Sequence, residues 1–268
     1  MEKITVHIRP LDWTEGNVYW MSFKLTGENP AVIINWGDGI VKTYYGQTIY
    51  TSHIYPKDKT LSFVVTAVVS SGQIDYCDPT GGDCNQEFVD FSEAPSIKEI
   101  DCEMFEKVIF GNPNLEILNL RNSLDSDYDL SKLPNLKEFR FDCVNKEMKC
   151  LDLSHCHRIE HIQCWCYSSP KLQLVLPDDA PLNYIDISGH NFHKEVLDSI
   201  HRIIERNGGE IYDGLHAWDK ALEVMVESWN WILGRKPEII DGGWEFVPEK
   251  IYYGLHLFAE YLPEMQND

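Results

Sequence analysis

Basic side chains are scarce in this sequence. Its 268 residues include 23 Lys and Arg against 43 Asp and Glu, which gives a formal net charge of −20. The acidic residues are spread along the whole chain instead of forming a tail. Such a field repels nucleic acid and anionic membranes and speeds association with basic proteins. We therefore expect a basic protein partner and neither nucleic acid nor membrane, with simple solubility as the other explanation of the charge.

Long apolar runs are also missing. No stretch approaches the roughly 20 apolar residues of a membrane-spanning helix, and the N-terminal residues alternate between polar and apolar without the apolar core of a secretion signal. We expect a cytoplasmic protein; a cell-surface or secreted protein is the alternative if Met1 is not the native start. The eight cysteines are then free thiols. Cys77 and Cys84, which bracket a tight turn, would form a disulfide in an oxidising compartment.

The familiar catalytic motifs are absent as well. There is no G-x-S-x-G turn, no Gly-rich phosphate loop and no H-E-x-x-H, so we expect a protein that is not an enzyme and has no cofactor. Metal-type side chains cluster between His155 and Cys166, but their spacing is not that of a usual zinc site. Cys102, Cys143 and Cys164 recur at repeat positions, where cysteine acts as a small buried apolar residue. We therefore predict no metal.

Short runs of β-branched and aromatic residues, separated by glycine and proline, fill residues 1–90 and predict a β-sandwich. The predicted strands are Lys3–Ile8, Val18–Leu25, Ala31–Trp36, Ile40–Tyr44 and Leu61–Val69.

Two short motifs lie among these strands: WGDG at residues 36–39 and HIYP at residues 53–56. Together they resemble the PKD domain, which implies a sandwich that serves as a spacer or interaction module. The glycines permit positive φ in the turn, and Asp38 is expected to bond the turn backbone. We expect Trp36 to plug one end of the sandwich, and His53 and Tyr55 to be a packed structural pair.

Residues 91–190 repeat a line of the form L-x-x-L-x-L/C. Its first apolar anchors are Ile97, Leu115, Leu136, Ile159 and Leu182. Their spacing of roughly 20 residues falls within the period of leucine-rich repeats. The line at residues 151–166 (LDLSHCHRIEHIQCWC) is similar to the leucine-rich repeats of Bacteroidetes proteins. This resemblance implies a leucine-rich-repeat solenoid and leaves its function open.

Alternate positions of each repeated line are predicted to point outward, because successive side chains of a strand lie on opposite faces. Stacked strands would join them into a patch with an acidic edge, two central arginines and an aromatic edge where Trp165 and Tyr184 are neighbours. We predict that this patch contacts the partner; a solvated sheet face is the alternative. The predicted contact residues are Glu99, Asp101, Glu103, Asn119, Arg121, Glu138, Arg140, Asp142, His161, Gln163, Trp165, Tyr184 and Asp186.

Residues 191–268 change to helical periodicity. Three helices are predicted, at His193–Arg206, His216–Leu233 and Glu249–Leu262, the first of which would cap the solenoid and end before Gly208. The similar segments that start at Glu210 and Glu238 predict short strands between the helices.

These patterns together predict an α+β protein with three parts: a PKD-like (Ig-like) β-sandwich at residues 1–90, a leucine-rich-repeat solenoid at 91–190, and a helical capping segment at 191–268. The leading hypothesis is a protein-binding module, and within that class an immunity protein that neutralises a basic toxin or effector. A secreted or cell-surface adhesion or glycan-binding protein is the alternative. A weaker alternative is an enzyme with a site near Asp213, Asp241 and Trp244.

Overall fold

The computed structural model describes residues 1–11, 17–56, 58, 60–80, 82–103, 105–123, 128–143, 149–165, 172–187 and 192–212, without the side chains of residues 122, 123, 142, 143 and 165. These residues form β1 (Lys3–Pro10), β2 (Asn17–Asn35), β3 (Val41–Tyr45), β4 (Thr48–Tyr55), β5 (Phe63–Asp78), β6 (Cys84–Glu93), β7 (Glu99–Glu103), β8 (Val108–Ile109), β9 (Ile117–Ser123), β10 (Glu138–Cys143), β11 (Cys150–Asp152), β12 (His161–Trp165), β13 (Gln173–Val175), β14 (Tyr184–Asp186), α1 (Lys194–Asn207) and β15 (Glu210–Tyr212).

The two longest strands, β2 and β5, organise the first half of the chain. They pair with each other in antiparallel fashion, and their register shifts near Gly27 and Gly72, where φ is 114° and 88°. Such a bulge bends a strand, and we call this place the bend. The first half of β5 also pairs with β1, which in turn pairs with β6. The first half of β2 carries β4, and its second half carries β3. Beyond the bend, the last residues of β5 pair in parallel with β7.

Strands β7, β9, β10, β12, β14 and β15 pair in parallel and in chain order, and we call them the parallel ladder. Their register aligns one apolar row of Ile100, Leu118, Phe139, Ile162, Ile185 and Ile211. The repeat anchors beneath this row, from Ile97 to Leu182, are fully buried. Each fully buried aliphatic or aromatic side chain of this kind contributes about 2 kcal/mol to folding. Burial of the repeated apolar residues therefore fixes the register between neighbouring strands of the ladder.

The predicted α+β class, with a separate sandwich, a leucine-rich-repeat solenoid and a helical tail, is wrong. Strands dominate the described residues, and thirteen of these strands, including those from both predicted bodies, belong to one mixed sheet. The physical reason lies in β5, whose C-terminal end extends beyond its pairing with β1 and leaves backbone groups that β7 satisfies. The repeated segments therefore extend an existing sheet instead of closing a body of their own.

The predicted helical C-terminal segment is corrected in the same way. Helix α1 forms nearly where it was predicted and ends at Gly208, whose φ of 68° is the left-handed conformation of a helix stop. The chain then returns to the sheet as β15, because Glu210–Tyr212 pairs with β14. No helix within the described ranges is both long and apolar enough to span a membrane. The later predicted helices, the strand that starts at Glu238 and the alternative site near Asp213 lie outside the described residues.

Candidate functional site

One face of the parallel ladder carries polar and aromatic side chains in two rows, and we call it the open face. The first row is Glu99, Ile117, Glu138, His161, Tyr184 and Glu210; the second is Asp101, Asn119, Arg140, Gln163, Asp186 and Tyr212. A third row begins with Glu103 and Arg121. The positions between the rows are apolar and buried except for the half-buried Ile211, as the alternation in sequence predicts.

The open face brings together the predicted contact residues whose side chains are described. Asn119 and Asp186 are nevertheless only 8% and 6% exposed, so they form the floor of the face under their larger neighbours. The side chains of Asp142 and Trp165 lie outside the described residues, so the expected contact between Trp165 and Tyr184 stays a prediction.

The open face continues past β7 onto β5. Tyr76 lies opposite Glu99 in the parallel pairing, and an isolated bridge joins Thr80 to Glu103 at the same offset. Asp78, between them, therefore occupies the second row beside Asp101. The sequence pattern does not place this residue on the face, because the predicted strand ends at Val69 while β5 continues to Asp78. Nothing in the pattern shows which strand the first repeated segment will join.

Two further strands, β2 and β4, add aromatic side chains to the same face. Ser22 lies opposite Asp78 on one side and opposite Tyr50 on the other. Tyr50 is 77% exposed, and Trp20, two residues before Ser22, is 50% exposed. Exposed Trp and Tyr are common anchors of protein interfaces. Exposed and buried positions alternate along parts of β2 and β4, so the sequence could have shown that these rings are exposed. It could not show that they lie beside the ladder, because the pairings that place them there join distant segments.

The two central arginines are held by carboxylates of the face itself. Arg121 donates from Nε and Nη2 to Oδ1 of Asp101, at 3.1 and 2.9 Å, and its Nη1 lies 3.3 Å from Oε2 of Glu103. Although burial opposes ionisation, these carboxylates raise the pKa of Arg121. Arg140 forms an ion pair with Glu138. The predicted basic centre is thus neutralised, and the face presents carboxylates.

Asp78 occupies the most crowded acidic position. Burial raises the pKa of its carboxyl, and the nearby charge of Asp101 raises it further. Hydrogen bonds from Thr80 and Tyr76, together with the charge of Arg121, act in the opposite direction without cancelling this effect. The ionised form of Asp78 is therefore less favourable in the folded protein than in the unfolded chain, and an additional cation would stabilise it.

Asn119 has an unusual environment in the middle of the second row. Its side-chain Oδ1 is buried and has no hydrogen-bond partner among the described residues. A buried amide oxygen without a donor costs roughly 1–3 kcal/mol. It lies in register between Asp101 and Arg140, on the floor of the open face.

The far end of the open face is aromatic. His161 and Tyr184 meet edge to face with ring centroids 6.1 Å apart. Burial raises the pKa of Tyr184, and the charge of Asp186 adds to this, while a hydrogen bond with Gln163 opposes it. Tyr212, which follows Asp186 in the second row, is 44% exposed.

A polar groove of about 440 Å³ lies along the turns that precede the ladder strands. The basic side chains that line the groove already have partners. Nζ of Lys98 lies 2.8 Å from Oδ1 of Asp75, and Arg158 donates to the amide oxygen of Asn135 at 3.1 Å. These contacts join successive turns of the ladder, which favours a structural role for the groove.

Asp38 of the WGDG turn forms a hydrogen-bonded pair with His53. Nε2 of His53 lies 2.7 Å from Oδ2 of Asp38, while Oδ1 of Asp38 accepts the backbone N–H of Ile40 at 3.0 Å. Trp36 is fully buried and stacks on His53, and the Tyr55 hydroxyl donates to the Trp36 carbonyl at 2.6 Å. Burial opposes ionisation of Asp38, but these hydrogen bonds outweigh it and lower its pKa. Asp38 thus bonds the turn backbone, and His53 packs with Tyr55, as predicted.

The described members of the Cys–His cluster do not converge on one point. Cys156 and Cys164 are fully buried, whereas His155 and His157 are exposed. No group of three or more His, Cys, Asp or Glu side chains in the described part of the chain is placed to hold a metal ion. Cys77 and Cys84 are separate, buried thiols. Cys166 lies outside the described residues.

Compared with known proteins, the chain matches no family model, no curated protein and no solved structure. The resemblances to PKD domains and to leucine-rich repeats therefore stay predictions.

Proposed function

We propose that the protein is a non-enzymatic binding protein whose open face binds a basic protein partner. The supporting observation is the charge of this face. Its described carboxylates are Asp78, Glu99, Asp101, Glu103, Glu138, Asp186 and Glu210, while its bases are Lys24, Arg121 and Arg140. All three bases are already paired within the face, Lys24 with Glu99, Arg121 with Asp101 and Arg140 with Glu138. An incoming cation therefore meets an acceptor-rich surface.

Within this class we propose a cytoplasmic immunity protein that neutralises a basic toxin or effector. The net charge of −20 supports this role, because a strong field of opposite sign speeds the encounter with a basic partner. Fast capture is what a neutralising protein requires, since it must reach its target before the target acts.

The test is co-expression with the products of the neighbouring reading frames, followed by calorimetric titration of any pair that forms. Reversing two carboxylates of the open face, Glu99→Lys with Glu210→Lys, should weaken binding about 10-fold or more. The matched control reverses two exposed carboxylates of α1, Glu195→Lys with Glu205→Lys, and should leave the Kd nearly unchanged. Equal losses in both variants, or no binding to any of these products, would contradict the proposal.

Glycan binding by a secreted or surface protein is the second candidate. It is favoured by the exposed aromatic rings of Trp20 and Tyr50 on one end of the open face, since flat aromatic rings stack on sugars. Quenching of tryptophan fluorescence by oligosaccharides, abolished by Trp20→Ala, would support this candidate over a basic protein partner.

A further inference from the structure

The antiparallel part of the sheet meets the parallel ladder at a concentration of hydrogen-bond acceptors. We call this place the acidic junction and define it by Asp78 on β5, Asp101 and Glu103 on β7, and Asn119 on β9. Asp101 lies next to Asn119 in the parallel register, and Asp78 occupies the neighbouring position on the other side of Asp101. All four side chains lie on the open face.

Asp78 and Asp101 have fewer donors than acceptor positions. Arg121 donates to Oδ1 of Asp101 and also contacts Glu103. Thr80 and Tyr76 hydrogen-bond to Asp78. An ionised carboxylate has about four acceptor positions, so Asp78 and Asp101 keep unused capacity after these contacts.

Asn119 supplies an independent observation. Its side chain is 8% exposed, and its buried Oδ1 has no donor within the described residues. This observation does not depend on the acidity of the chain, because the amide oxygen is uncharged. Its unsatisfied position beside Asp101 indicates that a donor from outside completes the junction.

We infer that the acidic junction binds an arginine side chain of the protein partner. This inference rests on the proposed function, because it assigns one contact within the open face. A guanidinium offers five N–H donors in a rigid plane, which suits a set that combines carboxylates with a neutral amide oxygen. A lysine ammonium is a compact point charge with three donors and cannot span the row in this way.

Trp20 provides the apolar side of this site. Its backbone N–H donates to the carbonyl of Thr80 at 3.2 Å, which places residue 20 next to the residue that hydrogen-bonds to Asp78. Trp20 lies on the same face as Ser22 and is half exposed. A guanidinium held by the carboxylates would have this indole beside it for cation–π stacking.

The experiment is an NMR titration of the full chain with N-acetyl-arginine amide, followed through the Asn119 side-chain amide and the Trp20 indole N–H. N-acetyl-citrulline amide has nearly the same shape without charge, and N-acetyl-lysine amide has the charge without the fork. We expect saturable shifts at both reporters with the arginine compound, and a Kd about 5-fold or more higher with each of the others. Equal affinity for citrulline or lysine would overturn the inference.

Two variants locate the site. Asn119→Leu and Asp78→Asn should each raise the Kd for N-acetyl-arginine amide about 5-fold, the effect of losing one hydrogen bond. Asp198→Asn on α1 removes the same charge as Asp78→Asn at a distant exposed position and should have no effect. Thermal unfolding of each variant shows that the fold is retained. Unchanged affinity in both junction variants would overturn the inference.

The same variants separate this inference from the proposed function. If a neighbouring product binds the open face while Asp78→Asn and Asn119→Leu leave its Kd unchanged, the proposed function stands and the arginine site is wrong. If the arginine compound binds as expected while no protein partner is found, the site stands and the proposed function fails.

Discussion

Gly27 and Gly72 lie against each other at the common bend of β2 and β5. A β-carbon added at Gly27 would lie 3.0 Å from the Cα of Gly72, and one added at Gly72 would lie 2.2 Å from the carbonyl oxygen of Thr26. The bend therefore requires glycine on both strands.

Gly72→Ala should lower the free energy of unfolding by at least about 2 kcal/mol, because backbone strain and a steric clash with Thr26 act together. The measurement is urea denaturation. Gly39→Ala is the control, since Gly39 also has a positive φ of 95° but has nothing within 4 Å of an added β-carbon. It should cost only the backbone strain of about 1 kcal/mol. Similar losses in the two variants would show that the close contact at the bend is unimportant.

Asn119→Leu should keep the stability of the protein or raise it by about 1 kcal/mol. The substitution removes a buried oxygen without a donor and puts an apolar group of similar volume in its place. Denaturant unfolding checks this result. A loss of more than about 1 kcal/mol would mean that the amide already has a partner in the folded chain. Higher stability together with weaker arginine binding would mark the residue as kept for recognition.

Asp78→Asn should raise the free energy of unfolding at pH 7. The pKa of Asp78 is raised in the folded protein, so the stability linked to its neutral form is complete below the usual value of about 3.9 and is lost as the pH rises through the folded pKa. The gain from Asn should therefore shrink toward zero at low pH. Urea unfolding at a series of pH values measures this trend.

Asp38→Asn provides the comparison of opposite sign. The pKa of Asp38 is lowered in the folded protein, so its stability is present above about 3.9 and is lost as the pH falls through the folded pKa. The variant should be less stable than the parent at neutral pH and equal to it in acid. A loss that does not change with pH would show that the hydrogen bond between the ionised Asp38 and His53 is not its cause.

Cys150 should react with iodoacetamide in the native protein, whereas the buried described thiols should react only after unfolding. Cys150 is exposed, although slight burial and the charge of Asp152 raise its pKa. Burial raises the pKa of Cys84 and of Cys156 to about 12, which leaves almost no reactive thiolate. Mass spectrometry after pulsed alkylation locates the label. Resistance of Cys77 and Cys84 to labelling even in denaturant would reveal a disulfide between them.

Local periodicity in the sequence predicted part of this fold correctly. The repeated apolar anchors and the face of α1 follow from single-strand and single-helix patterns, and both are buried. β2 was predicted as two strands because Gly27 and Pro30 resemble a break. The structure has one strand there, but its pairing with β5 shifts register between Thr26 and Ala31. β6 was missed because a polar residue, Gln86, occupies one of its buried positions.

The open face shows the same division between local and distant information. Alternation predicted the positions from Glu99 to Asp186, since it depends only on neighbouring residues. Asp78, Ser22 and Tyr50 were missed because their place depends on the pairing of β7 with β5 and of β2 with β4. Such pairings join segments that are distant in sequence, and a single sequence does not specify them. The error in fold class has the same cause.

The order of strands in the ladder has a consequence for how the molecule is made. From β5 onward, β7, β9, β10, β12, β14 and β15 lie in the sheet in the order in which they occur in the chain. A ribosome releases the N-terminal strands first, so each new strand finds its template already folded and docks by a short-range step. The pairs that join the most distant segments are β1–β5 and β1–β6, so their closure is expected to be the slow event. Once these pairs have formed, the ladder can grow at the pace of translation, one strand after another.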